Sequence, residues 1–394
     1  MSRLRYDIAG IGGDTGEKIL ALLPEIAQRV IEIEDTRHLP ADIARKLAQA
    51  GAFNLSKPSA LGGLELEPIE FLKIISTLSE ADASAGWCAM IAVTSSLAAA
   101  YLDEDCAQEI FGAEDVITGG VFAPMGKAED RGDHYLLSGR WQWGSGSPNC
   151  SWLGGGAMIF KDGEIQKFEN GAPYHRMFYF PVEEVEFIDT WHVAGMQGTG
   201  SGDFQVKNIK VPKQRSVSFI ADNPREQGAL YKFPLFGLLA LGVCSVALGN
   251  AQAALEEIRQ IAVTKKTPGG GRSMAQRATV QVEVAKATAL LNGAFHYLEN
   301  AIADSWSEAK GDGGLTASSR GNLRLACAHA TEIAAEICKM AYTLGGGAAV
   351  YKNNSLQRRF RDAHVATQHI ATSPAVFELS GRILLEQPVD MAML

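Results

Sequence analysis

Apolar residues recur at spacings of three and four near the start of the chain. Ile19, Leu22, Leu23, Ile26, Val30 and Ile33 trace one stripe, and Ile43, Leu47 and Ala50 trace another. That spacing follows the 3.6-residue turn and predicts amphipathic helices. Gly51 stands where a helix stop belongs, residues 57–67 (KPSALGGLELE) read as a Pro/Gly loop, and Pro68 fits the first turn of a further helix. Around Val116 the period changes. VITGGVFAP, HYLLSGRWQWGSG, SWLGGGAMIF, MFYFPVEEVEFID and FQVKNIKVP are short aromatic or β-branched runs separated by Gly, Pro, Asp and Asn, predicting antiparallel strands to about residue 222. After Phe233 helical spacing returns and holds, broken at 262–272 (AVTKKTPGGGR) and 310–314 (KGDGG); long helices joined this way form a bundle. The predicted organisation is a helical domain over 1–115, a β domain over 116–222 and a helical bundle over 223–394, with no internal repeat.

Two stretches raise a membrane question, since 83–102 and 233–255 carry no charged residue. Both are rich in Ala, Gly, Ser and Cys, which suits close packing between helices of a large folded protein better than contact with lipid. At 394 residues the chain is long enough for two to three domains, at about 150 residues each. Its net charge of −9, with 21% charged and 46% hydrophobic residues, argues against disorder and against a nucleic-acid binder. The six cysteines, Cys88, Cys106, Cys150, Cys244, Cys327 and Cys338, contain no CxxC pair. They read as reduced thiols of a cytoplasmic protein rather than a zinc or dithiol site. The first twenty residues interrupt every apolar run with Asp, Glu or Gly and make no secretory signal.

No GxxxxGK[ST], HExxH, GxSxG or EF-hand pattern occurs, and the glycines of 195–202 (GMQGTGSG) lack the βαβ context of a dinucleotide fold. What remains is a set of small polar loops beside tryptophans: Trp141, Trp143, Ser145 and Gly146 in WQWGSG, and Trp191, Thr199 and Ser201 in WHVAGMQGTGSGD. Hydroxyls and backbone N–H groups next to aromatic planes suit a flat isoalloxazine ring with a polar edge, and equally suit β turns with core tryptophans. The last third holds Gly345, Gly346 and Gly347, then Arg358, Arg359, Arg361, Asp362, His364 and His369. Such a cluster suits a pyrophosphate, or else a helix end and a solvated face. His364 and His369 are five apart, so on one helix their rings diverge by about 140°, which disfavours joint metal ligation.

The order helix, strand, helix, with WHVAGMQGTGSGDFQVKNIKVP closing the strands and LGGGAAVYKNNSLQRRFRDAH in the last helices, resembles the acyl-CoA dehydrogenase superfamily over nearly the whole chain. The resemblance implies an α+β fold with an N-terminal α-helical domain, a middle antiparallel β-barrel or sandwich and a C-terminal four-helix bundle. It also implies a flavin between them and a homotetramer, in which Gly345–Gly347 help to hold a cofactor, often a neighbouring subunit's. Dehydrogenases of the superfamily carry a catalytic glutamate shortly after the RDA of the last helices. Here that place falls on Ile370, leaving Glu257 or Glu283 as displaced bases if this is an acyl-CoA dehydrogenase.

The departure matches the two-component flavin monooxygenases, which use reduced FMN or FAD from a separate reductase to hydroxylate aromatic or heteroatom-containing small molecules through an oxygen adduct at flavin C4a. WQWGSG and the pair His364 and His369 after Asp362 are similar to that branch. The likeness implies a catalytic pair, Ser145 at the flavin N5 edge and His369 beside C4a. Trp143, Gly146, Thr199 and Ser201 would line the cofactor, and Trp191, Ile370 and Ser95 the substrate, Ser95 standing where many members have a further histidine. His369, with an unperturbed pKa near 6.5, would exchange protons near neutral pH. Neither a metal nor a nucleic-acid or membrane partner is expected.

Overall fold

The computed structural model describes residues 6–266, 271 and 273–390. Residues 267–270 and 272 of the break expected at 262–272 lie outside the described residues. The chain begins with six helices: α1 (Thr15–Gln28), α2 (Val30–Thr36), α3 (Ala41–Gln49), α4 (Pro68–Ala81), α5 (Ala83–Ser96) and α6 (Glu104–Phe111). Their limits follow from local chemistry. Beyond α3, Gly51 takes φ 80° and returns its N–H to Ala48, and α4 opens with Pro68 inside a Glu67/Glu70 capping box.

Eight strands follow: β1 (Thr118–Asp130), β2 (His134–Trp141), β3 (Trp152–Lys161), β4 (Glu164–Ile165), β5 (His175–Pro181), β6 (Glu186–Ile188), β7 (Asp203–Pro212) and β8 (Ser216–Val217). They form one sheet in the order β6-β7-β2-β1-β3-β5-β8, with β4 on β3. The expectation of purely antiparallel pairing is corrected here, because β1 and β3 run parallel, Thr118 opposite Trp152. The crossover from β2 to β3 passes through the WQWGSG turn, so the turn is held at a sheet end instead of closing a hairpin. The sheet has its own core of Trp141, Leu153, Ile159, Phe178 and Phe204.

Helices resume with α7 (Ala229–Lys232), α8 (Leu235–Thr264), α9 (Ala278–Lys310), α10 (Ala317–Gly345), α11 (Ser355–Ala366) and α12 (Ala375–Leu384). The first four helices of the bundle proper are therefore three long ones and a fourth broken into α11 and α12. Ser373 before Pro374 is extended, at ψ 165°, as the proline ring demands. Both charge-free stretches lie inside the protein: 89% of the hydropathic window at 83–100 and 94% of that in α8 is buried. α8 packs on α4, α5 and α10 of the same chain, so its apolar surface needs no second subunit to cover it. Close approach explains its glycines, because a Cβ on Gly249 would fall 2.1 Å from the Ser76 carbonyl oxygen. Leu78 and Met90 share one core with Leu241, Leu323 and Ile337, so the helices before and after the sheet form a single body.

Candidate active site

Trp87 sits one turn into α5, a helix whose start is fixed by Asp82 accepting the Ala85 N–H at 2.9 Å. The Trp87 indole N–H donates to Ser145 Oγ at 3.0 Å. Ser145 Oγ lies 2.6 Å from Ser201 Oγ, Ser201 Oγ lies 2.6 Å from Thr199 Oγ1, and Thr199 Oγ1 lies 2.8 Å from the Met196 carbonyl oxygen. The direction of this chain is determined at both ends. An indole N–H only donates and a carbonyl only accepts, so Thr199 donates to Met196, Ser201 to Thr199, and Ser145 to Ser201. Trp87, Ser145, Ser201 and Thr199 are all buried. The Met196 carbonyl also accepts the Trp191 indole N–H at 3.2 Å, and the Met196 N–H donates to Asp362 Oδ1 at 2.6 Å. The sheet loop is thereby joined to α11, an approach that requires Gly195: its Cβ would lie 2.6 Å from the Arg361 backbone.

His369 occupies the break in the fourth helix. α11 has ended at Ala366, and His369 caps the short turn Ile370–Thr372 by accepting the Ala371 N–H on Nδ1 at 3.2 Å. His364 and His369 are thus not on one helix, which corrects the 140° argument. They separate for another reason: His364 is in α11, donating Nδ1–H to the Phe360 carbonyl at 2.7 Å with its ring 4.3 Å from that of Phe360. The His369 ring meets Trp87 edge-on, centroids 5.6 Å apart. Burial, with the nearby Arg324 guanidinium, drives its pKa down to about 4. The ordinary value near 6.5 does not apply, so at neutral pH His369 is uncharged. Because Nδ1 accepts, its proton is on Nε2.

The other expected residues divide clearly. Trp143 is 64% exposed at φ 64°, turned out of the strand line that buries Trp141, whose own indole donates to the Gly156 carbonyl within the sheet core. Gly146 donates its N–H to the Thr199 carbonyl at 2.7 Å, docking the two loops together. Ile370 is 71% exposed beside His369. Ser95 is half-buried on α5, its hydroxyl beside that of Tyr179. Gly345–Gly347 end α10 with Gly346 at φ 62°, and no hydrogen bond or ring contact among the described residues ties them to the Ser145 chain. They adjoin the exposed Val350 and Tyr351.

Arg359 and Arg361 are engaged within the protein. Arg359 is buried and bonds Glu257 at 2.7 Å, Asn250 at 3.3 Å and the Glu80 carbonyl at 2.9 Å; Arg361 reaches Glu34 at 2.6 Å and the Ala194 carbonyl. Both tie α11 to distant elements. Glu257 is consequently held in an ion pair, and Glu283 lies on the surface beside Lys286. Neither stands as a displaced base. The residues that sequence reasoning passed over are Trp87, Met196 and Arg324. Trp87 left one signal, a bulky indole in a helix otherwise built of small residues.

An exposed aromatic beside a turn of buried hydroxyls, with a neutral imidazole nearby, is chemistry that fits a flat heteroaromatic cofactor with a polar edge. Residues 241–374 match the model of the acyl-CoA dehydrogenase C-terminal domain, and residues 22–110 that of the N-terminal domain. The chain is 31% identical to indole-3-acetate monooxygenase of Acinetobacter baumannii, over 92% of both proteins. It is 26% identical to the flavin-dependent monooxygenase oxygenase subunit HsaA of Rhodococcus jostii, over 91% of this chain and 94% of that one. The crystal structure of 3-HSA hydroxylase from Rhodococcus sp. RHA1 superposes with a TM-score of 0.89 at 25% identity, covering 97% of this chain and 99% of the other. With its helix–sheet–helix body, both domain matches and a relative 31% identical over nearly its whole length, the chain belongs to the acyl-CoA dehydrogenase superfamily, among its flavin-dependent monooxygenases.

Proposed function

We propose that this protein is the oxygenase of a two-component system, which takes up reduced FMN or FAD from a separate reductase and hydroxylates an aromatic or heteroatom-bearing small molecule. The observation that carries the reading is the junction of His369, Trp87 and Ser145, which brings a neutral Nε2–H donor and a buried hydroxyl to one indole. When bound, the reduced flavin supplies two electrons to dioxygen, one atom of which passes to substrate and the other to water.

The chain's own residues do the rest. Ser145 Oγ would meet the flavin at its N5 edge, and Gly146, Thr199 and Ser201 hold that hydroxyl in place. Trp143 and Trp191 wall the ring and keep water from it. His369 offers Nε2–H to oxygen or to a substrate oxygen, and its low pKa keeps it from carrying charge into an apolar pocket. Ile370 and Ser95 border the substrate. The dehydrogenase alternative loses both of its bases, because Glu257 is paired with Arg359 and Glu283 is on the surface.

A homotetramer is supported by exposed apolar side chains on the bundle, Val263, Val282, Leu290, Val350 and Tyr351, the last two beside Gly345–Gly347. Six buried free cysteines suit a cytoplasmic setting. The test is to mix anaerobic protein and reduced FMN or FAD with ¹⁸O₂-saturated buffer and indole-3-acetate or a simple phenol. Product carrying one ¹⁸O per flavin consumed supports the reading, and hydrogen peroxide alone across a broad panel of aromatic compounds overturns it. Light scattering at micromolar concentration tests the tetramer.

A further inference from the structure

We propose that Thr199 and Ser201 are positioning residues that lock Ser145 Oγ as a hydrogen-bond acceptor, so that the site selects reduced over oxidised flavin. The inference rests on the proposed placement of Ser145 at the N5 edge.

Each hydroxyl proton of the chain is already engaged. The one proton of Ser145 Oγ is engaged by Ser201, that of Ser201 by Thr199, and that of Thr199 by the Met196 carbonyl. Trp87 occupies one lone pair of Ser145 Oγ and leaves the other open. The backbone of residues 144–147 offers no donor either. The N–H groups of Gly144, Ser145, Gly146 and Ser147 go to the carbonyls of Gly202, Trp143, Thr199 and Gly144, at 3.0, 2.9, 2.7 and 3.2 Å. Among these groups only Ser145 Oγ keeps an open position, and that position accepts.

Flavin N5 changes character with oxidation state. In the reduced ring it bears a hydrogen and donates; in the oxidised ring it has only a lone pair and accepts. The reduced form completes every hydrogen bond of the chain. The oxidised form leaves N5 unmet, or else all three hydroxyls must rotate and Thr199 must release the Met196 carbonyl. Either way one hydrogen bond is missing, a difference of about tenfold in binding.

The loop that ends the chain is built to resist that reversal. Met196 is held in the left-handed region at φ 53°, its carbonyl is fixed a second time by Trp191, and its N–H is anchored on Asp362. Removing Thr199, the acceptor for Ser201, should abolish the preference. In Thr199→Val, Ser201 has no partner for its proton except Ser145, whose own proton is then free to meet oxidised N5. Ser201→Ala frees the Ser145 proton directly.

The experiment is anaerobic titration of the full-length protein with reduced and with oxidised FMN, following flavin absorbance and fluorescence, for wild type, Thr199→Val, Ser201→Ala and Thr199→Ser. Wild type is expected to bind the reduced form at least about tenfold more tightly. Thr199→Val and Ser201→Ala should each lower that ratio about tenfold or more, which moves the midpoint potential of the bound flavin down by about 30 mV. Thr199→Ser should restore it. If Thr199→Val does not fold, Ser201→Ala decides by the same ratio. An unchanged ratio in the folded variants overturns the relay while the proposed function stands. Failure of wild type to bind either form overturns both.

Discussion

The rings of Trp87 and His369 meet edge to face at 72°, although Trp87 is in α5 near the start of the chain and His369 is in the break after α11 near its end. Trp87 contacts both the imidazole and the hydroxyl chain. Trp87→Phe keeps the ring contact and deletes the donor to Ser145. We expect a stability loss of about 1 kcal/mol by denaturant unfolding, and more peroxide released per product formed. Loss of coupling without that modest destabilisation would place the effect outside the hydrogen bond.

His369 gives a signed pH dependence. Its pKa in the folded protein is about 4, against an ordinary 6.5. Between these values the unfolded chain binds more protons, so the contribution to stability is complete above pH 6.5 and is lost as pH falls toward 4. The loss reaches about 3 kcal/mol at most. His369→Ala should flatten that slope and reduce hydroxylation by about 10²–10³, as for removal of one donor to a developing oxyanion. The wild-type rate should show no acid limb near pH 6.5, and a limb there that vanishes in His369→Ala refutes the neutral-donor assignment.

Asp362 has the opposite sign. Burial chiefly, with the neighbouring Asp82, pushes its carboxyl up to about 7, against the pull of the Met196 N–H. The folded chain holds the extra proton between about pH 4 and 7, so this group costs stability as pH rises through that window. Asp362→Asn retains an acceptor for Met196 and should gain about 1–2 kcal/mol relative to wild type at pH 8, with little gain at pH 5. Equal effects at both pH values would disprove it.

Trp143 is exposed and left-handed, so its removal should cost the fold almost nothing. Trp143→Ala is expected to leave unfolding within about 0.5 kcal/mol of wild type while weakening flavin binding about tenfold. Unchanged flavin affinity would remove this indole from the site.

Ile370 cannot accept a proton, and neither glutamate is free to replace it. Straight-chain acyl-CoA thioesters are therefore expected not to bleach bound oxidised flavin over minutes. Rapid bleaching by any of them, followed at the flavin absorbance band, would return the assignment to a dehydrogenase.

The order of helix, strand and helix was legible because hydrophobic period is a local property, repeated many times in each region. The parallel pairing of β1 with β3 was not, since it depends on what the turn at 142–151 does in space. In WQWGSG one positive φ sends Trp143 outward while Trp141 stays in the core, a turn in space that the alternation of residues does not encode. The break around His369 had a signal in Pro374, overshadowed by the five-residue histidine spacing. Arg358 and Arg359 could not be read as buried, because the groups that compensate Arg359 lie 102 to 279 positions away in sequence.

The union of the early and late helices in one core shapes how the chain is made. Ser76 of α4 bonds the Ser245 carbonyl of α8, a partner 169 positions later. At ~5–20 residues per second a ribosome needs roughly 10–30 s to deliver it. Throughout that interval α4 and α5 present to solvent the faces that α8 will cover, while the strands emerging between them already have a core of their own. The sheet can mature first, as an insert within an unfinished helical body, and the nascent chain is at its most aggregation-prone until α8 emerges.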